Sequence, residues 1–268
     1  MITSLTANSF FDLSKFEHRI IFDEGSVWRA LTRLKDYLAG LDYLSLPAEI
    51  ERDRPLSRTI VLHGGKFRDG AGLDIKFGNV CREGLKVFDG DKLLEGASVV
   101  MAGVVLKGEG FSFGKGVLIE SGAFLTGPVV IGDFSEVRQG AYLRGNCLIG
   151  KRCVVGHVTE VKHSIFLDDA KAGHFAYLGD TILGNLVNLG AGTKMANLRF
   201  VGGNVSVRTQ DGPVDTGLRK FGAILGDQVQ TGCNSVTNPG TLIGRRSFLL
   251  PNTTAPSGYH PDNSMIRS

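Results

Sequence analysis

"FGKGVLIESGAFLTGPVVIGDFSEVRQGAYLRGNCLI", residues 113–149, is apolar at every sixth position: Phe113, Ile119, Leu125, Ile131, Val137, Leu143 and Ile149. The run continues through Val155, Val161 and Leu167, ten positions in all. Hydrophobic residues make up 42% of the chain, so composition alone seldom produces such a run. A helix repeats near 3.6 and a strand at 2; six matches neither. Gly114, Gly132, Gly150 and Gly156 each follow an apolar member of the series. The phase then slips, resumes at Tyr177, Leu183, Leu189 and Met195, and returns as Leu225, Thr231, Thr237, Ile243 and Leu249. A six-residue period is the mark of a parallel β-helix. Each repeat supplies one short strand and a turn, three repeats close a coil, and about 18 residues advance the chain one rung of roughly 4.8 Å. The period does not by itself set the hand of the coil.

Outside the repeat the chain changes character. "SVWRALTRLKDYLAG" (26–40) predicts a helix capped by Ser26, with Val27, Leu31, Leu34 and Leu38 on one face and Gly40 as its stop. Residues 1–57 thus read as a helical cap and connector, suited to covering an open end of the solenoid. Residues 58–268 read as the β-helix, beginning with irregular first coils. Residues 200–220 break the period; Val205 and Val207 alternate with polar residues before an Asp211-Gly212 turn signal, which predicts a hairpin-like arm.

The 268 residues are 21% charged, with a net charge of +3 and a pI of about 8.7. That is too weakly basic to argue for nucleic acid and compatible with an anionic small molecule. The four cysteines form no CxxC pair, so neither a zinc site nor a disulfide framework is expected. The N-terminus lacks the pattern of a signal peptide, and no apolar run is long enough to span a bilayer. The expected location is the cytoplasm.

Exposed polar residues that interrupt the repeat are the candidates for chemistry. They cluster between Gly156 and Phe200 and include His157, Glu160, Lys162, His163, Lys171, His174, Tyr177, Asn188 and Asn197. His174 stands among small residues with no neighbouring metal-ligand pattern; a lone histidine is more often structural than catalytic. Arg144 and Lys162 have an ordinary reading as solvated corner charges and a functional one as a phosphate clamp. "NLGAGT" (188–193) suits a tight corner, and equally suits backbone N–H groups left free for an oxyanion. A β-helix has flat faces, so a site would be built against a neighbouring subunit.

"AKAGHFAYLGDTILGNLVNLGAGTKMANLRF" (170–200) closely resembles the acetyltransferase domain of the bifunctional UDP-N-acetylglucosamine pyrophosphorylase / glucosamine-1-phosphate acetyltransferase family. "VDTGLRKFGAILGDQVQTGCNSVTNPGTLIG" (214–244) is similar to the archaeal sugar-1-phosphate nucleotidylyltransferase type in particular. The resemblance covers roughly residues 110 to 250. It implies an all-β fold: a left-handed parallel β-helix of hexapeptide repeats, here with a small N-terminal helical segment. It further implies a homotrimer and acetyl transfer from acetyl-CoA to an amino-sugar 1-phosphate, glucosamine-1-phosphate or galactosamine-1-phosphate, with no metal. By the same resemblance His174 is the general base, Asn197 orients base and substrate, and the Ala191 N–H is the oxyanion donor. Arg144, Lys162, Tyr177, Asn188 and Lys220 or Arg219 hold the substrate. Ala191, Cys233 and Leu250 mark the strip along which CoA lies. Residues 1–100 show nothing like the family's nucleotide-binding loop, so sugar-nucleotide synthesis is not expected of them, although relatives carry a nucleotidyltransferase name. Two other readings fit the same residues: a non-catalytic β-helix that binds a sugar phosphate or a partner protein, and an acyltransferase acting on a nucleotide-sugar.

Overall fold

A computed structural model describes residues 5–267. The chain winds as a left-handed parallel β-helix with three faces. The first face runs from Ser98–Val100 to Met265–Ile266, the second from Val105–Lys107 to Thr254–Ala255, and the third from Phe111–Phe113 to Gly258–His260. Most strands are two or three residues long, because a turn must follow within each hexapeptide. Side chains alternate in and out of the prism. Phe113, Ile119, Leu125, Ile131, Val137, Leu143, Ile149, Val155 and Val161 all enter one core, as the period requires.

The next interior residue is Phe166, not the expected Leu167; Leu167 packs outside the prism. The register explains the slip. Glu136 pairs with Val154, eighteen residues on, but Val154 pairs with Lys171, seventeen on. The corner that holds Gly145 and Asn146 in one rung holds only His163 in the next, with a left-handed φ of 48°. The same shortening at Asp180 brings Leu183 inward, and it is Leu178, not Tyr177, that occupies the interior before it. Leu225, Thr231, Thr237, Ile243 and Leu249 are buried at the expected positions. Thr231 Oγ1 lies 2.8 Å from Thr193 Oγ1 and Thr237 Oγ1 lies 3.2 Å from Met195 Sδ, so these hydroxyls are paired within the core. Along the second face the interior column reads Leu106, Leu125, Leu143, Val161, Leu178, Met195, Thr237, Ala255, thinning toward the last rungs.

Third-face strands such as Val129–Ile131, Cys147–Ile149 and Ala223–Leu225 are buried on both sides. Their outer residues Val130, Leu148, Ile165, Ile182, Ile224 and Leu242 are covered by Phe10, Phe11, Trp28, Leu31, Leu34 and Leu38. The N-terminal segment therefore lies along a flank, not over an end. Its helix is Arg29–Ala39; Trp28, not Ser26, holds the N-cap position and makes no side-chain cap. Gly40 does close it, donating to Asp36 O. Asp227 pins the segment: its carboxylate accepts from the Asp12 N–H at 2.7 Å, and its own N–H donates to Phe10 O.

The region after Arg58 is not a set of irregular coils. Ile60–His63 runs antiparallel to Ser98–Val100 and to Lys66–Asp69, closing the edge of the first face. A three-stranded antiparallel sheet, Asp74–Lys76, Lys86–Asp89 and Lys92–Leu93, packs Val87 and Leu94 near Val99 and Leu118 on the outside of that face. The arm is an antiparallel hairpin, Ser206–Thr209 with Gly212–Asp215, and buries Val205 and Val207 beside the N-terminal apolar layer. No apolar cluster among the described residues covers the outer side of the second face. No described helix is long and apolar enough to cross a membrane.

Because Leu143 fills the prism and Leu148 lies under the N-terminal segment, truncating either to alanine should cost about 2–5 kcal/mol. Urea titration of both variants checks this. A Leu148→Ala loss within about 0.5 kcal/mol, the range of an exposed site, would detach the segment from that flank.

Candidate active site at the edge of the second face

Strand Lys171–His174 ends at the corner between the first and second faces. Phe175 turns that corner with φ 53°. The same corner is turned by Gly140, Val158, Gly192 and Asn234 on neighbouring rungs, all with positive φ. Val158 is a β-branched residue in a conformation that such residues rarely adopt. The side chain of His174 is exposed, and neither ring nitrogen has a partner among the described residues. A Cβ at Gly173 would meet nothing within 4 Å, so the approach to the imidazole is open.

Ala191 occupies the position equivalent to His174 on the next rung: the Gly192 N–H donates to His174 O at 3.0 Å. The Ala191 N–H donates to no group among the described residues, while its carbonyl accepts from Asn234. Cys233 continues the column, exposed, and Leu250 stands half-buried at the same edge one rung further. The expected base, oxyanion donor and cosubstrate strip thus fall on one edge of the solenoid. Cys147 and Cys153 are buried; burial pushes the Cys147 thiol up to about 12 and Cys153 upward too, which leaves neither as a nucleophile.

A polar network crosses the second face from Tyr177, just past this corner, to Asp180 at the corner with the third face. Asp180 accepts from Lys162 Nζ at 3.0 and 3.1 Å and from Asn197 Nδ2 at 2.6 Å. The Tyr177 hydroxyl lies 3.4 Å from Asn197 Oδ1. Burial, then the Glu160 and Asp180 charges, raises the Tyr177 phenol above its ordinary value, keeping it a neutral donor. Arg144 donates to Glu160 at 2.6 Å; that hydrogen bond holds its guanidinium firmly protonated. The two cations expected to hold phosphate are therefore both matched by carboxylates of the same chain. Lys162 keeps one free N–H and Arg144 several.

Asp180 and Glu160 carry this network; the sequence offered Glu160 among the polar candidates, without a role, and Asp180 not at all. Asp180 reads there as an ordinary corner residue, which it also is, at φ 50°. Its burial, with 8% of the side chain exposed, distinguishes it, and only the packed corner reveals that. Asn188 lies on the first face, paired with Lys171 and Gln230, and joins neither His174 nor the network within one chain. Lys220 sits at the base of the arm, bridged through its backbone to Leu198, with no side-chain partner among the described residues. A groove of about 530 Å³ lies between the arm and the corner of the second and third faces, lined by Ala196, Leu198, Phe200 and Arg208, not at His174. In a single chain the His174 corner is open surface. No described group of three or more His, Cys, Asp or Glu residues is arranged to hold a metal ion.

The fold defines the class: a hexapeptide-repeat β-helix. Residues 125–212 match the family described as the GMPPB C-terminal domain. A bifunctional sugar-1-phosphate nucleotidylyltransferase/acetyltransferase of Sulfurisphaera tokodaii is 38% identical over 151 residues, 50% of this chain and 38% of that protein. A bifunctional protein GlmU of Methanococcus aeolicus is 34% identical over 172 residues, 58% of this chain and 40% of that protein. The chain thus spans about two fifths of the length of these relatives. The crystal structure of an Arabidopsis UDP-N-acetylglucosamine acyltransferase aligns at 14% identity and a TM-score of 0.38, over 56% of this chain and 58% of that one. The family resemblance read from the repeat and its interrupting residues holds at this level.

Asp180→Asn removes the anion that fixes Lys162. The variant should lose about 1–3 kcal/mol of stability, as the half-buried Lys162 ammonium is left without its counter-charge. Lys162 should also react several-fold faster with an amine-directed acylating reagent, read by peptide mass spectrometry. Unchanged labelling would mean that the ion pair does not restrain the ammonium.

Proposed function

We propose that the chain is an acetyl-CoA-dependent N-acetyltransferase acting on an amino-sugar 1-phosphate, glucosamine-1-phosphate or galactosamine-1-phosphate, with His174 as general base. One observation carries the reading. An exposed imidazole and an unengaged backbone N–H, that of Ala191, stand on adjacent rungs of the same edge, roughly one strand spacing apart.

Acetyl transfer needs both. A sugar ammonium has no lone pair to attack with. His174 takes a proton from it; the amine then attacks the thioester carbonyl, the C–N bond forms, the C–S bond breaks, and the thiol leaves carrying a proton. Charge develops on the carbonyl oxygen, and the Ala191 N–H, which has no acceptor of its own among the described residues, would meet it. A positioned base contributes about 10²–10⁴-fold, and an oxyanion donor a comparable factor. Arg144 and Lys162 offer their remaining N–H groups to the phosphate, and the Tyr177 hydroxyl and Asn197 orient the sugar. Asn188 and Lys220 would reach the site from another copy, with the uncovered second face as the contact and a homotrimer as the closed assembly. Cys233 and Leu250 would line the path of the cosubstrate. Acetyl-CoA as donor and a reducing surrounding for four unpaired cysteines fit a cytoplasmic location.

His174→Ala should lower thiol release from acetyl-CoA by about 10²–10⁴-fold, with sedimentation unchanged; wild-type turnover in the variant would reject the assignment. The internal pairing of Arg144 and Lys162 favours a second reading, a non-catalytic β-helix that binds a sugar phosphate or a partner. Calorimetry with millimolar acetyl-CoA decides between them: heat of binding supports the enzyme, and its absence supports the binding module.

A further inference from the structure

His174 is not the only imidazole at its corner. His157 pairs with it in register on the preceding rung, so the two backbones lie roughly 4.8 Å apart. The Phe175 ring touches both: it meets His157 edge-on at 5.5 Å and 74°, and its centroid lies 6.2 Å from that of His174. The two histidines differ in one respect. His157 Nδ1 lies 2.9 Å from Gln139 O. A carbonyl only accepts, so Nδ1 carries the hydrogen and the neutral ring presents Nε2 as a bare acceptor. His157 Nε2 has no partner among the described residues.

We propose that His157 is a second substrate-touching residue of the site, and that the two imidazoles together select a primary ammonium over a hydroxyl. The inference rests on the acetyltransferase reading and narrows its acceptor. An ammonium brings three N–H donors. One hydrogen bonds to His157 Nε2, which holds the nitrogen at the corner, while His174 removes another proton. A hydroxyl has one hydrogen and satisfies one imidazole, leaving the other acceptor unmatched in the complex. The chemistry balances as before: the ammonium loses one proton to His174, the amine displaces the thiol from the thioester, and His157 accepts a hydrogen bond without being consumed. The Phe175 ring lies against both imidazoles at the corner.

The test is calorimetry on the full-length chain with two probes, glucosamine 1-phosphate and glucose 1-phosphate, which differ at the reacting position by amine against hydroxyl. Wild type should prefer the amine. His157→Ala should reduce that preference by about ten- to hundredfold, the weight of a hydrogen bond to a charged group, with affinity for glucose 1-phosphate unchanged. His157→Gln, which restores an acceptor at similar reach, should recover most of it. An unaltered preference in His157→Ala, or equal affinity of wild type for the two sugars, overturns the proposal. Thiol release from acetyl-CoA, measured in parallel, separates the two failures. Turnover with an unaltered preference sinks the role of His157 alone. A lost preference without turnover in wild type keeps the ammonium site and removes the acetyl transfer.

Discussion

The parallel hydrogen-bond ladder between successive rungs carries this architecture. A strand of two or three residues has no stability of its own. Here each one borrows it from the strand above and the strand below, as Glu136 does from Leu118 and Val154. The ladder aligns equivalent residues at rung spacing, so a residue's place in the period decides whether it fills the prism or faces out. It also decides what can meet across rungs. His157, His174 and Ala191 share an edge because they recur at the coil length, although they are spread over 35 residues of chain.

The repeat was readable in the sequence because interior positions are apolar at a fixed step. Its errors came where the step changes. A corner reduced to a single left-handed residue, His163 or Asp180, shifts the phase by one, and an apolar neighbour then disguises the shift: Leu167 beside Phe166, Tyr177 beside Leu178. The flank position of the N-terminal segment was hidden for a different reason. A helix with one apolar face shows that it is covered, but not by what. The clue lay in the third-face strands, whose unbroken runs such as "VVI" and "CLI" mean burial on both sides. The first coils misled because a short antiparallel hairpin and a short parallel rung have the same composition.

The site divides in the same way. His174 stands out as a polar interruption, and the resemblance of its surroundings to a known motif suggested the role proposed for it. The Ala191 N–H has no side chain to announce it; the resemblance pointed to it, and the backbone accounting across the corner finds it unengaged. Asp180 looked like a surface acid because charge in a turn is ordinary, and Glu160, though a candidate, had no partner in view. Their meaning comes from which cations they meet, and those cations arrive from an adjacent rung.

The thinning of the interior column from leucines to Thr237 and Ala255 sets up a gradient along the axis. In a linear array each unit is held only by its neighbours, so opening starts where the contacts are weakest. Those are the last rungs, the ones bearing Cys233 and Leu250. A molecule lying along that edge would bridge the rungs with the fewest apolar interior contacts and would act as a clasp across them. Occupancy of that edge and the length of coil that stays wound are then two readings of a single equilibrium.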